Sequence, residues 1–345
     1  MNVNIAIRYS SLGDLVLCTA LVAKLKAENP TEPLIFVSKP QFKELITKRF
    51  PHDRLLFFDG SSGLVGPFLE GLKLAMLCHR EFQATEIKFF DLHGTLKSAS
   101  FFLGVKLYSL FKKVKVSLLR THKHSFSRSL SVMFHKDFNG ERHVFLDHLK
   151  TSGSSMNYFP VLKAFDRTPR TTERILLAPD AQHWKKRWIV SHWEKLFELL
   201  LAHPRNFEIT LVGEQHCLPI DVTDDLQSLG KDRVENLLGK TDLQTLPDIA
   251  ANHDITVCSN SAWLHISEAV GIPVVSLSGP ITKGFGFSPW RPQSRELYVD
   301  LSCRPCTKHG DGRCLKSGSD FHACMKRIEA EEVYDEVLKV LRISK

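Results

Sequence analysis

Three short segments place ionisable and small residues in patterns suited to an anionic ligand. The first is Arg8-Tyr9-Ser10-Ser11-Leu12-Gly13-Asp14. It lies where alternating Val3, Ile5 and Ile7 give way to a helical run, Leu15 to Lys26. Small residues such as Ser11 and Gly13 at a strand-to-helix turn let backbone N–H groups approach a ligand. Asp14 then stands at the strand end, where a carboxylate can act as a general base. A carboxylate in a first helical turn also simply stabilises the helix, and position alone leaves both roles open. The second segment is Lys185-Lys186-Arg187, flanked by Trp184 and Trp188. It follows the apolar run Ile175–Ala178, and three cations at a strand end can face a diphosphate. The alternative is a solvated charge run with two packing tryptophans. The third is Cys258-Ser259-Asn260-Ser261-Ala262-Trp263-Leu264-His265. Its small residues open a helix whose free N–H groups offer an anion site, with His265 one turn in. Glu214, after the run Phe207–Val212, can bond ribose hydroxyls, as can Gln215.

Eight cysteines are present. Cys18, Cys78, Cys217 and Cys258 sit in apolar surroundings and read as core thiols. Cys303, Cys306, Cys314 and Cys324 form a cluster that begins with a Cys-x2-Cys pair. In a cytoplasmic protein this spacing favours one structural zinc on four thiolates. His309 or His322 can substitute for one of them, and reduced thiols or two disulfides are the other readings.

The elements that must carry these segments follow from hydrophobic periodicity. The chain has 345 residues, 43% hydrophobic and 24% charged, which suits two globular domains and excludes a disordered chain. Strands at Val3–Ile7, Leu34–Ser38, Leu55–Asp59 and Ile87–Leu92 alternate with helical stretches, as a parallel sheet requires. A loop-rich junction, Thr151 to Ser155 with Pro160 and Pro169 beyond, precedes a second series. Its strands are Ile175–Ala178, Phe207–Val212, Asp254–Cys258 and Pro273–Leu277. The expected domains are 1–160, 161–327 with the Cys-rich segment 303–324, and a C-terminal helix over 328–345 that packs back on the N-terminal domain. Ligands of such sheets lie at the carboxyl ends of the strands, so the cleft between two facing domains is the expected site.

Charge is uneven. Of the net +8, residues 97–150 supply 11 basic residues against 3 acidic ones. That excess, with Lys112, Lys113 and Arg120 among it, favours an anionic acceptor or an anionic membrane surface. Few interleaved aromatics in 112–150 argue against a nucleic-acid stacking platform, so no nucleic-acid partner is expected. No apolar run is long enough to span a bilayer, and the N-terminus reads as a strand rather than a signal peptide. A cytoplasmic protein is expected.

Together these segments resemble glycosyltransferase family 9, the ADP-heptose:lipopolysaccharide heptosyltransferases. The resemblance rests on Ser10-Ser11-Leu12-Gly13-Asp14, Asp91-Leu92-His93-Gly94-Thr95-Leu96-Lys97-Ser98, Lys186-Arg187-Trp188, Asn260 to His265 and Gly279-Pro280. It implies a GT-B fold, with two facing Rossmann-like domains and the active site in the cleft between them. It implies inverting, metal-independent transfer of a heptose from ADP-heptose to a lipopolysaccharide inner-core acceptor at the inner face of the cytoplasmic membrane. No catalytic cofactor is expected, and no evident Asp-x-Asp pair stands in the sequence to hold a metal. Asp14 matches the family's general base. Lys186, Arg187, Glu214, Asn260, Ser261, Ala262 and His265 are the expected donor side. Ser11, Gly13, His93, Lys112, Lys113 and Arg120 are the expected acceptor side. Two departures stand out. Asn260 replaces the acidic residue usual there, which leaves the donor sugar open, and Thr282 falls one place late in Gly279-Pro280-Ile281-Thr282. An epimerase on the same fold would need no acceptor. A non-catalytic binding protein would have no use for Asp14.

Overall fold

The computed structural model describes residues 1–50, 52–58, 63–153, 158–164, 171–215, 217–218 and 230–343. Asp59, Ser154, Ser155 and Pro169, read above as strand end and linker, lie outside the described residues. The chain divides into two compact units. The first is Met1–Lys123 with Val144–Lys163, and the second is His124–His143 with Ala164–Lys345. The boundary expected at 160 therefore falls within the last segment of the first unit, and residues 124–143 group with the second.

The first unit runs β1 (Asn2–Ile7), α1 (Leu12–Glu28), β2 (Leu34–Ser38), α2 (Lys43–Arg49), β3 (Arg54–Phe57), α3 (Val65–Phe82), β4 (Glu86–Asp91), α4 (Leu96–Phe111) and β5 (Lys115–Arg120). After α5 (Ser125–Phe134), which belongs to the second unit, α6 (Val144–Lys150) returns to pack against α1. The five strands are parallel, in the order β3-β2-β1-β4-β5. The inner strands β1 and β2 are buried on both faces, so Val3–Ile7 and Leu34–Val37 are nearly continuous apolar runs. The edge strands β3 and β5 are only half-buried or exposed. Helices α3 and α4 pack backbone to backbone at Gly71 and Gly104. A Cβ on Gly71 would collide with the Phe101 carbonyl, and one on Gly104 with the Phe68 carbonyl.

The second unit continues with β6 (Arg174–Ala178), α7 (Val190–Ala202), β7 (Glu208–Leu211), β8 (Val234–Asn236), α8 (Leu246–Ala251), β9 (Ile255–Ser259), α9 (Ala262–Ala269), β10 (Val274–Leu277), β11 (Arg295–Leu297), α10 (Ala323–Lys326) and α11 (Ala330–Ile343). Its parallel sheet has the order β11-β10-β9-β6-β7-β8. The C-terminal helix corrects the expectation that it packs back on the N-terminal domain. Val333, Val337, Val340 and Leu341 are buried in the second unit's own core, with Trp193, Leu196, Phe197 and Leu200 of α7. The apolar positions of α11 and α7 complement each other, so the helix closes the sheet it follows.

Candidate active site

An open parallel sheet leaves a crevice where strand order reverses, because the loops on either side turn to opposite faces. In the first unit that point lies between β1 and β4, and the segment after each strand carries one of the motifs read from sequence. After β1, Ser11 caps α1 and Asp14 occupies its third position. Asp14 Oδ2 accepts from the Ser11 backbone N–H at 3.2 Å and the Ser11 hydroxyl at 2.9 Å. Arg8 Nη2 lies 2.5 Å from the same oxygen, and Arg8 Nη1 donates to the Leu92 carbonyl after β4 at 2.5 Å. Burial raises the proton affinity of Asp14, but the Arg8 charge, the Ser11 bonds and His148 outweigh it and lower the pKa to about 2. Gly13 is buried in the first turn of α1.

After β4, Asp91 organises the facing turn. Its carboxylate accepts from the backbone N–H groups of His93 (3.1 Å) and Gly94 (2.7 Å) and from the Ser98 hydroxyl (3.0 Å). Arg120 Nε completes the set at 2.9 Å. His93 sits edge-on to Tyr9, with ring centroids 5.0 Å apart. Burial, then the Arg8 and Lys123 charges, lower its pKa to about 4, so it is neutral near pH 7. Its Nδ1 is enclosed without a hydrogen-bond partner among the described residues. The crevice thus gathers Ser11, Gly13, Asp14 and His93, with Arg120 anchored on Asp91. Lys112 and Lys113 are elsewhere. They follow the carboxyl end of α4, which at 16 residues carries them about 24 Å from the Thr95 turn.

The second unit repeats the logic between β6 and β9. After β6, Trp184–Lys186 forms a single tight turn, and Arg187 Nε ties back to the Ala181 carbonyl at 2.9 Å. After β9, Ser261 caps α9 with its own side chain making no cap bond, and its hydroxyl is enclosed without a partner among the described residues. The amino end of α9 is therefore open toward the turn. Lys186 Nζ reaches Asn260 Oδ1 at 3.1 Å and the Asn260 carbonyl at 3.4 Å. Asn260 Nδ2 in turn donates to the Phe287 carbonyl at 3.1 Å. His265 stacks on Trp290 with centroids 5.9 Å apart and rings 7° from parallel. Glu268 fixes that tryptophan by accepting from the backbone N–H groups of Trp290 and Arg291 and from the Ser294 hydroxyl. Arg128, from the 124–143 segment, lies 5.4 Å over the Phe287 ring. Lys186, Asn260, Ser261, Ala262 and His265 thus share one neighbourhood. Glu214 is exposed just beyond the end of the adjacent strand β7. Trp290 has no counterpart in the sequence reading. Arg8 and Asp91 lay inside quoted segments without a role of their own, and Arg128 lay inside the basic stretch 97–150.

The Cys-rich segment packs against the same turn. The His322 ring Nε2 pairs with the Lys185 carbonyl at 3.0 Å, and Lys185 Nζ donates to the Arg313 carbonyl at 3.1 Å. Gly310, at φ +104°, lies where a Cβ would meet His183 and Lys186, so glycine is required there. All four clustered cysteines are free thiols. Burial and then the other thiols push Cys324 up to about 12, with Cys303, Cys306 and Cys314 all close enough to act on it. Among the described residues, no three His, Cys, Asp or Glu side chains are grouped so as to hold a metal ion.

The family model for glycosyltransferase family 9 (heptosyltransferase) matches residues 89–313. That span holds the Asp91 turn, the Lys186 turn and the Asn260–His265 helix start. The chain belongs to glycosyltransferase family 9. Lipooligosaccharide heptosyltransferase 2 from Campylobacter jejuni (strain 81116) is 31% identical over 160 residues, 45% of this chain and 47% of that protein. The protein of the same name from strain NCTC 11168 is 28% identical over 164 residues, 46% of this chain and 48% of that protein. Each alignment thus spans just under half of the relative's length. Among solved structures, Escherichia coli ADP-heptose lipopolysaccharide heptosyltransferase II has a TM-score of 0.67 at 17% identity, covering 99% of both chains. A family 9 glycosyltransferase from Veillonella parvula has a TM-score of 0.70 at 14% identity, covering 99% of this chain and 97% of its own. These likenesses establish the fold: two Rossmann-like α/β domains of the GT-B class. No helix among the described residues is long and apolar enough to cross a membrane.

Proposed function

We propose that the chain transfers a heptose from ADP-heptose to a lipopolysaccharide inner-core acceptor, with inversion at the anomeric carbon. The reading is carried by one observation above all: Lys186 and Asn260, 74 residues apart in sequence, meet at 3.1 Å beside the open amino end of α9. A cation and a helix start at one point suit a diphosphate. The solved relatives with ADP and with an ADP-heptose analogue bound support a nucleotide-sugar donor.

In the reaction, an acceptor hydroxyl attacks the anomeric carbon while Asp14 takes its proton. The new glycosidic C–O bond forms as the bond from the anomeric carbon to the diphosphate oxygen breaks, and the electron pair leaves with ADP. Lys186, the α9 amino end and His265 stabilise the charge that grows on the leaving diphosphate. The Lys186 charge and the α9 amino end take the place that a divalent ion would otherwise fill. Ser11, Gly13, His93 and Arg120 line the acceptor side. Arg187 and Glu214 flank the donor. Asn260 both accepts and donates, as its bonds to Lys186 and Phe287 illustrate, so a sugar hydroxyl meets an amide where the family's acid would only accept. From the Cys-x2-Cys spacing alone, we propose one structural zinc on the four-cysteine segment. The acceptor is lipid-linked, which places the protein at the inner face of the cytoplasmic membrane.

A donor screen tests this function. ADP-heptose, UDP-sugars and GDP-sugars are each incubated with the purified protein, with and without core acceptor, and nucleoside diphosphate release is measured. Release from ADP-heptose that depends on acceptor is expected. Equal release without acceptor would point to hydrolysis or epimerisation and would overturn the transferase reading.

A further inference from the structure

The outward side of α4 is unusual for a helix on a water-soluble domain. Its inner side is apolar in the ordinary way: Phe101 and Val105 are buried in the first unit's core, and Gly104 lets α3 approach. Its outer side is apolar as well. Leu96, Leu103, Leu107, Leu110 and Phe111 are all exposed, Leu96 by 77% and Phe111 by 79%. At about 100° per residue, these five side chains fall within a sector of about 100°. Lys106 lies about 40° to one side of that sector and Lys97 about 40° to the other. Both lysines are exposed. Beside the start of the stripe, the amino end of α3 adds exposed Leu64, Val65 and Leu69, tied to α4 where the Ser100 hydroxyl bonds the Leu64 carbonyl. Lys112 and Lys113 close the far end. The surrounding sequence holds no acidic residue from Leu92 to Lys136 but nine lysines and arginines.

We propose that this face of α4, with the amino end of α3, lies on an anionic lipid bilayer, its leucines and Phe111 among the acyl chains and its lysines at the headgroups. A contiguous exposed apolar patch marks an interaction surface. An apolar stripe edged by lysines on both sides, in a stretch free of carboxylates, complements negatively charged headgroups. A protein partner would be expected to meet acidic residues as well as basic ones; here the charge is of one sign. The stripe begins at Leu96, directly after the Asp91–Thr95 turn, so a bilayer on this face runs past the acceptor crevice of the same unit. The inference adds to the proposed function the surface by which a lipid-linked acceptor is reached. Its test uses neither donor nor acceptor, so the two readings fail separately.

The experiment is co-sedimentation of the full chain with vesicles of phosphatidylglycerol and phosphatidylcholine, against phosphatidylcholine alone. Two variants are compared, Leu103→Ser/Leu110→Ser/Phe111→Ser and Lys97→Gln/Lys106→Gln/Lys112→Gln. All six positions are exposed or at the helix end, and thermal unfolding confirms that each variant folds. The wild type is expected to bind the anionic vesicles. The apolar variant should bind about tenfold or more weakly at any salt. The lysine variant should lose about tenfold at low ionic strength and little in high salt, where the wild type is already weakened. Wild-type protein that ignores anionic vesicles, or an apolar variant that binds like the wild type, would overturn the proposal. So would a wild-type dimer that the apolar variant dissolves without any vesicle binding, since the stripe would then be a contact between copies.

Discussion

Replacing Arg8 by Gln isolates what holds Asp14 in its resting state. The change removes a guanidinium 2.5 Å from Asp14 Oδ2 and leaves the carboxylate enclosed, its side chain only 17% exposed and therefore little screened by solvent. In the wild type, burial raises the Asp14 pKa, while Arg8, the two Ser11 bonds and His148 lower it from 3.8 to about 2. That lowering is worth about 2 kcal/mol. The folded pKa lies below the unfolded one, so this stabilisation is fully present above about pH 4 and is lost as pH falls through about 2. Without Arg8, burial is opposed only by the Ser11 bonds and His148, so the folded pKa rises and the Asp14 contribution to stability shrinks. At neutral pH the variant should be less stable, by up to about 3–5 kcal/mol, the range for breaking a buried ion pair. Two assays read this: urea unfolding of the first unit as a function of pH, and the pH profile of ADP release at saturating donor. Wild-type release should show no acid limb from Asp14 above about pH 4, whereas in Arg8→Gln the limb should move to higher pH. Arg8→Lys should restore the flat profile. A variant with wild-type stability at neutral pH and a wild-type profile would refute the claim that Arg8 sets the charge state of Asp14.

Other perturbations reach the second unit. Lys186→Ala should weaken ADP binding about tenfold or more at low salt, and the difference from wild type should shrink as salt screens the charge. Calorimetry showing unchanged ADP affinity would transfer the role to Lys185 or Arg187. Asn260→Asp places a carboxylate about 3 Å from the Lys186 ammonium, so it should change the relative rates with different ADP-sugars. An identical donor profile would show that this position does not read the sugar. Elemental analysis of protein purified without added metal should find about one zinc per chain, and chelation should lower the thermal stability of the second unit. Metal-free protein with unchanged stability would dispose of the zinc.

Much of the fold was legible because buried parallel strands advertise themselves. The runs Val3–Ile7, Leu34–Ser38, Ile175–Ala178 and Pro273–Leu277 are apolar and bounded by turn residues, and each coincides with or overlaps an observed strand. The edge strand β5 was not legible. Its Lys-Val-Ser-Leu-Leu-Arg stretch is half-exposed, and its Lys115 and Arg120 drew attention as charge rather than as pattern. The candidate site was legible as separate segments, because small residues between a strand and a helix are a local signal. Which segments meet is a matter of strand order. The partners that cross each crevice, Arg8 with the Leu92 carbonyl and Lys186 with Asn260, are therefore visible only in the fold. The same holds for residues 124–143. Arg128 and Asp137 of that segment bond Phe285 and Gly284 in the second unit, across more than 140 positions of sequence. The C-terminal helix was read correctly as a helix. Its packing partner was not, because an apolar stripe states that a face is covered without stating by what.

The most direct measurement is transfer by Asp14→Asn. The substitution keeps the size and the Ser11 contacts of the side chain while removing its basicity. Heptose transfer to a core acceptor and the affinity for ADP are measured on the same preparation. Turnover lower by about 10²-fold or more with ADP affinity unchanged is the predicted result. Near-normal turnover would contradict the assignment of Asp14 as the base, and with it the mechanism built on the β1–β4 crevice.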